Sequence, residues 1–169
     1  MSRFFPQAPY EEDQKYGHAI LTTHVLTRGL QTGSLLGSGI GASLYLYRRS
    51  RSRGIPSPSF TTALLRSTGV GAVAGTAILS VALIGRMWGR EEIEWQERSW
   101  RLLANKGQVE CDDWTYGGMA LGFLGGMGQR ALGWRGVVGG AGAGSVLGML
   151  GYMGWRYGVK GGKFEEEKL

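Results

Sequence analysis

Cysteine, histidine and proline are scarce in this chain of 169 residues, and each scarcity removes a class of answers. The lone cysteine, Cys111, excludes an internal disulfide, and with only His18 and His24 beside it no zinc cluster can be assembled at ligand spacing. Cys111 itself reads as a plain loop thiol. Four prolines and the absence of a Gly-x-y period exclude collagen, although glycine is abundant. The N-terminal MSRFFPQAPYEEDQKYG has no apolar core of signal-peptide type and carries Glu11, Glu12 and Asp13. A cleaved secretory signal or an Arg-rich, acid-poor presequence is therefore not expected, and any targeting information should be internal.

What the chain has instead is glycine, 31 residues of it, set in apolar runs. The run from Gly136 to Trp155, GVVGGAGAGSVLGMLGYMGW, holds no charge and repeats glycine every fourth position at Gly136, Gly140, Gly144 and Gly148. That spacing puts all four on one side of a helix. In water such a helix is poor, since each glycine costs about 1 kcal/mol relative to alanine. In a bilayer the backbone can bond only to itself, so the helix forms, and the glycine stripe becomes a groove for another helix backbone.

Three more runs are of the same kind. Gly29 to Tyr47 is uncharged, reaches about 28 Å as a helix, and carries the stripe Gly33, Gly37 and Gly41. Upstream, His18 to Leu26 is apolar enough to extend this helix past Arg28. The run stops at Arg48, Arg49, Arg51 and Arg53, and Pro56 and Pro58 prevent a continuous helix into the next segment. From Phe60 to Gly85 a second run holds Gly71 and Gly75, with Arg66 inside its first turns, either snorkelling to the interface or meeting a polar partner. The third, Trp114 to Arg130, carries Gly118, Gly122 and Gly126 and is short, its charge-free part reaching about 24 Å. Between the second and third runs lies the one long polar stretch. There Ile93, Trp100 and Leu103 share a helical face opposite Glu91, Glu94, Glu97 and Arg98, and Gly107 offers a stop. A short amphipathic helix over about residues 90–105, lying on a membrane surface or docked on another subunit, fits this pattern.

The expected fold is thus an all-α membrane protein with four Gly-rich transmembrane helices at about 29–47, 60–85, 114–130 and 136–155. A polar segment (1–16) precedes this four-helix domain (17–158) and a charged tail (159–169) follows it. Charge sorting supports it. All 13 acidic residues fall before the first run, in the central loop or in the tail, on one side of a four-span topology. The other side has Arg48, Arg49, Arg51, Arg53, Arg130 and Arg135 and no acid. By the positive-inside tendency the arginine side is the cytosol or, in an organelle of bacterial descent, the matrix, and Trp88, Trp114, Trp134 and Trp155 sit at the expected interfaces. The clustered arginines are either topology determinants or ligands of anionic lipid head groups. Some of the glycine faces are expected to meet another protein, since four stripes exceed what one small bundle requires.

No catalytic, cofactor-binding or metal-binding residues emerge. GSGIGA and GAGAGS resemble dinucleotide-binding glycine motifs in spelling alone: no strand precedes them and no acidic residue stands about twenty positions on. Glu91, Glu92, Glu94 and Glu97 read as solvated helix charges, and the apolar runs lack the carboxylates of ion carriers. A nucleic-acid site is excluded by the absence of aromatic interleaving around the arginines.

The central stretch WQERSWRLLANKGQVECDDWTYGG, Trp95 to Gly118 between pairs of Gly-rich runs, resembles the NUXM-type accessory subunit of mitochondrial complex I, a fungal and plant membrane-arm subunit. Trp95, Arg98, Ser99, Arg101, Leu102, Asn105, Gln108 and Asp113 carry the likeness, which extends from about Tyr16 to Tyr157. The resemblance implies a non-catalytic subunit of NADH:ubiquinone oxidoreductase in the mitochondrial inner membrane. Its termini would lie in the intermembrane space, and membrane-arm subunits and phospholipids such as cardiolipin would be its partners. The Gly-rich four-span translocase family of the same membrane shares the short helices and the topology, but its signature segment is absent and the tryptophan-bearing loop is foreign to it. A stand-alone lipid-interacting glycine-zipper protein is the third class.

Overall fold

The computed structural model describes residues 4–51 and 58–164. Among them are five α-helices and no strand: α1 (Gly17–Arg51), α2 (Phe60–Met87), α3 (Glu92–Ala104), α4 (Lys106–Met127) and α5 (Trp134–Met153). Single 3-10 turns occupy Glu11–Asp13 and Arg130–Leu132, and a π-helical turn, Gly154–Val159, prolongs α5. Two antiparallel hairpins, α1 with α2 and α4 with α5, pack side by side through α2 and α5, and α3 lies against α1 at one end.

Local chemistry sets the helix ends. The Ser59 hydroxyl accepts the Thr62 N–H at 3.2 Å and opens α2 just after Pro58. Gly89, with φ 67°, turns the chain from α2 into α3. Asn105 ends α3, and its side-chain carbonyl accepts the Gln108 N–H at 3.1 Å to start α4. The break therefore falls at Asn105, and Gly107, expected to be the stop, is inside α4. The polar residues as far as Asp113 are helical rather than loop, and Cys111 is a half-buried thiol on α4, not in a loop.

Glycine decides the packing. A Cβ on Gly33 would overlap the carbonyl oxygen of Gly71, one on Gly71 that of Gly33, and one on Gly75 that of Gly29. Further along the same seam Gly37 faces the Ser67 carbonyl and Gly41 the Ser67 hydroxyl. In the second hairpin, Gly118 and Gly144 face each other's carbonyls, as do Gly122 and Gly140. Gly126 abuts the carbonyl of Gly136, Gly148 that of Trp114, and Gly136 itself faces Gln129 and Leu132 in the connecting turn. A third seam joins the hairpins, where Gly69 meets Arg135 and Gly139 meets Leu65. All twelve stripe glycines are thus occupied within the chain. A side with no Cβ lets the neighbouring backbone of the same bundle come closest.

The consequence is an inverted distribution of polarity. Of the eight largest fully buried side chains, only Ile20 is apolar; the others are Gln14, Ser34, Thr68, Ser99, Asp112, Thr115 and Ser145. Large apolar side chains point outward instead, with Leu36 61 %, Ile78 67 %, Leu121 74 % and Leu147 68 % exposed on α1, α2, α4 and α5. Two stretches, Phe60–Met87 and Trp134–Val159, are long and apolar enough to cross a membrane. On composition the expected four spans reduce to these two. α1 dilutes its apolar residues with Thr, Gln, Ser and Arg28, and α4 opens on the charged stretch from Lys106 to Asp113.

These seams make a direct prediction. Gly140→Ala or Gly122→Ala should destabilise the fold by about 1–3 kcal/mol, because the new methyl meets backbone that cannot step aside. Gly117→Ala and Gly39→Ala, where a Cβ meets nothing, should be neutral or stabilising by up to about 1 kcal/mol. Denaturant unfolding of the four detergent-solubilised variants checks the contrast.

A buried polar cluster as the candidate functional site

Where α1 and α4 face each other diagonally across the bundle, their side chains build an ion pair into the interior. The Arg28 guanidinium donates to Asp112 at 2.5 Å, and the Asp112 side chain is 3 % exposed. Arg28 also donates to the side-chain carbonyl of Gln31, one turn on in α1. Gln31 in turn donates to the Ser145 carbonyl of α5 at 3.0 Å and reaches the Thr115 hydroxyl at 3.4 Å. From α4, Gln108 donates to Asp112 at 2.8 Å. His24 brings its Nδ1 to 3.8 Å from the second Asp112 oxygen, and that buried nitrogen has no hydrogen-bond partner. Thr27 and Tyr116 close the edge with a hydroxyl contact of 3.2 Å.

One carboxylate is met by one guanidinium and one amide donor, so its charge is spent on structure. What the cluster does is tie α1, α4 and α5 together where no glycine seam joins α1 to α4. Below it the Ser34 hydroxyl, fully buried against Gly142, has no partner.

A cap of polar contacts surrounds the cluster at the same end of the bundle. Gln14, buried, accepts the Ala8 N–H and donates to the carbonyls of Pro6 and Lys15, which folds the N-terminal segment into a compact turn. Trp100 donates its indole N–H to the Ala8 carbonyl at 2.9 Å, and Leu103 packs on Ile20 with Phe5 and Tyr116 around them. Ile93, the third residue of the expected apolar face, is exposed. The α3 helix therefore docks on α1 and the N-terminal segment of its own chain. The chain's own Ala8 and Ile20 cover Trp100 and Leu103. His18 pairs with Glu92 at 2.7 Å and stacks on Trp95 with ring centres 4.0 Å apart. Arg156, in the π-helical turn, pairs with Glu110, donates to the Lys163 carbonyl at 2.6 Å and lies 4.1 Å from the Phe164 ring centre.

The arginine cluster lies at the opposite end. Arg48, Arg49 and Arg51 form the last turn of α1, where they complement the helix dipole. Arg49 donates to the Tyr45 hydroxyl and Arg51 to that of Tyr47. Arg53 lies outside the described residues. Sequence reasoning placed Arg28 only as a point the first helix might extend past, and it passed over Asp112 and Gln31. The available signal was a cation set apart from the terminal arginines of the first helix and an acid just before the third apolar run, opposite charges at the same end of two helices.

The pair predicts non-additive energetics. Arg28→Ala or Asp112→Ala alone should cost about 2–3 kcal/mol, the lower range for a buried pair because Arg28 is partly exposed and can turn to water. The double variant should cost clearly less than the sum, which a double-mutant cycle on unfolding free energies would measure.

Comparison with known proteins adds one match. No curated protein and no solved structure matches the chain. The family described as "Protein of unknown function (DUF1757)" matches residues 12–151, a range that takes in α1 to α4, the buried ion pair and nearly all of α5. The chain belongs to the DUF1757 family.

Proposed function

We propose that this protein is a non-catalytic structural subunit that crosses the bilayer four times, serving as an accessory subunit in the membrane arm of mitochondrial complex I. The observation that carries the membrane part is the inverted polarity: outward Leu, Ile and Val on all four long helices around an interior of glycine, hydroxyls and one ion pair. Water would penalise that exterior, and lipid would not. It supports α1 and α4 as spans alongside the two helices that qualify on composition. Leu36, Ile40 and Leu44 on α1 and Leu121, Leu124 and Met127 on α4 are all exposed, and they lie in the halves of those helices away from the polar cap.

Charge supports an orientation. Every acidic residue of the described chain belongs to the cap, and Arg48, Arg49, Arg51, Arg66, Arg130 and Arg135 belong to the other end. In the proposed orientation the arginine end faces the matrix and the cap, with both termini, faces the intermembrane space. The assignment to complex I rests on the likeness of the Trp95 to Gly118 segment. In this role the chain carries no redox group, and phospholipid is the one small molecule it holds. Its outward apolar faces pack on membrane-arm helices and stabilise the assembly without taking part in electron transfer.

Native gel migration of the detergent-extracted protein, with mass spectrometry of what comigrates, tests this reading. Comigration with complex I subunits is the expected outcome. Migration with protein-import components, or as a small homo-oligomer alone, would remove the complex I assignment.

A further inference from the structure

An open cleft of about 640 Å³ runs along the outer side of the α1–α2 seam. Its walls are Leu36, Ile40 and Leu44 from α1 and Val70, Ala74 and Ile78 from α2, and glycines form its floor. At one end it is closed by two cations, Arg48 and Arg66, one from each helix. Among the described residues neither guanidinium has a hydrogen bond, an ion pair or a ring to rest on, whereas the adjacent Arg49 and Arg51 are held by tyrosine hydroxyls. No carboxylate occurs anywhere between Asp13 and Glu91, so nothing in either helix of this hairpin can neutralise the two. Arg66 stands six residues into α2, about 9 Å along the helix from Phe60, a depth at which an uncompensated cation facing lipid is costly.

We infer that this cleft binds an anionic phospholipid, its phosphate held by Arg48 and Arg66 and one acyl chain lying between the α1 and α2 walls. The inference deepens the membrane-spanning reading and rests on it. A phosphate fits because guanidinium forks match its oxygens and two forks from different helices can converge on one group. The chain fits because the walls, from Arg48 back to Gly33, extend about 22 Å, enough to follow one leaflet of a hydrocarbon core roughly 30 Å thick. Glycine on both sides of the seam leaves the space that a side chain would otherwise fill.

The test reconstitutes the full chain into vesicles of phosphatidylcholine alone or mixed with phosphatidylglycerol, then extracts it gently and measures the lipid retained by native mass spectrometry. The wild type should retain phosphatidylglycerol in preference to phosphatidylcholine. R48Q/R66Q should weaken that retention on the order of thirtyfold, two cations near the surface contributing about fivefold each. A74F, which puts a ring into the cleft from an exposed position and leaves both arginines, should lower retention as well, while R49Q/R51Q should leave it intact. Equal retention of the two lipids by the wild type, or equal loss in R49Q/R51Q and R48Q/R66Q, would overturn the site and leave only a diffuse basic surface. Alkaline carbonate extraction of the same vesicles separates the two levels. A chain that washes off overturns the membrane reading and the site together, and one that stays in the membrane without lipid preference overturns the site alone.

Discussion

Close approach of helix backbones is the constraint on which the rest of this structure depends. At the Gly33–Gly71, Gly122–Gly140 and Gly69–Gly139 contacts the helices lie so near that a single methyl would strike a carbonyl oxygen of the neighbour. At these contacts there is no room for a large apolar side chain, and the few buried ones, Ile20, Met87 and Leu103 among them, lie away from the glycine crossings. Leucine, isoleucine and valine are left on the outside, and the buried positions go to residues small enough, or polar enough, to fit between backbones. The inverted polarity is thus a result of glycine spacing, and in the membrane-spanning reading a lipid surround would accommodate it.

Polar interior groups then take over a task that apolar packing does elsewhere. The α1–α2 and α4–α5 hairpins each zip by glycine, and one glycine crossing joins α2 to α5. That leaves α1 and α4 without a seam. Arg28, Asp112, Gln31 and Gln108 bridge the gap with side chains long enough to span it, and Gln31 reaches on to α5. Removing one partner would strand the other, which is why such a tie is stabilising only as a complete set. The ion pair lies at the cap end of the bundle, beside α3 and the N-terminal turn, so the polar network grades from solvent-exposed His18–Glu92 to buried Arg28–Asp112. At the arginine end the α1–α2 pair is held by glycine contacts and by the Tyr45 and Phe60 rings, whose centres are 5.2 Å apart.

Much of this was legible in the residues. The glycines at four-residue spacing lie in the helix seams, and the uncharged apolar runs begin and end within a few residues of α2 and α5. The fate of those stripes was not legible, since a small-residue face states how close a neighbour can come and not which neighbour comes. Gly69 and Gly139, one in each hairpin, fall outside the simple stripes and were missed for that reason. The amphipathic pattern of α3 likewise identified Leu103 and Trp100 as a contact face, but its cover is Ile20 and Ala8, distant in sequence. The start of α4 was read as loop because Glu110, Asp112 and Asp113 look like surface charges. Their helix is set by the Asn105 cap, and one of the three carboxylates turns inward to an arginine that periodicity alone could not pair with it.

The internal use of glycine changes how such a subunit would join a larger assembly. If the seams had faced outward, partner helices would dock by backbone contact and the glycines would be recognition residues. With the seams closed inside the chain, the surface offered to a neighbour is made of flexible apolar side chains and of clefts beside the seams, a surface that lipid wets as readily as protein. In the membrane-spanning reading, docking there would gain little from apolar burial, since lipid would already surround those side chains. Specificity must come from shape and from the polar ends. In the proposed subunit role, the cap, with its docked α3 and latched C-terminal turn, and the arginine end would therefore be where partner choice is concentrated. Glycine substitutions would reach assembly only through the fold.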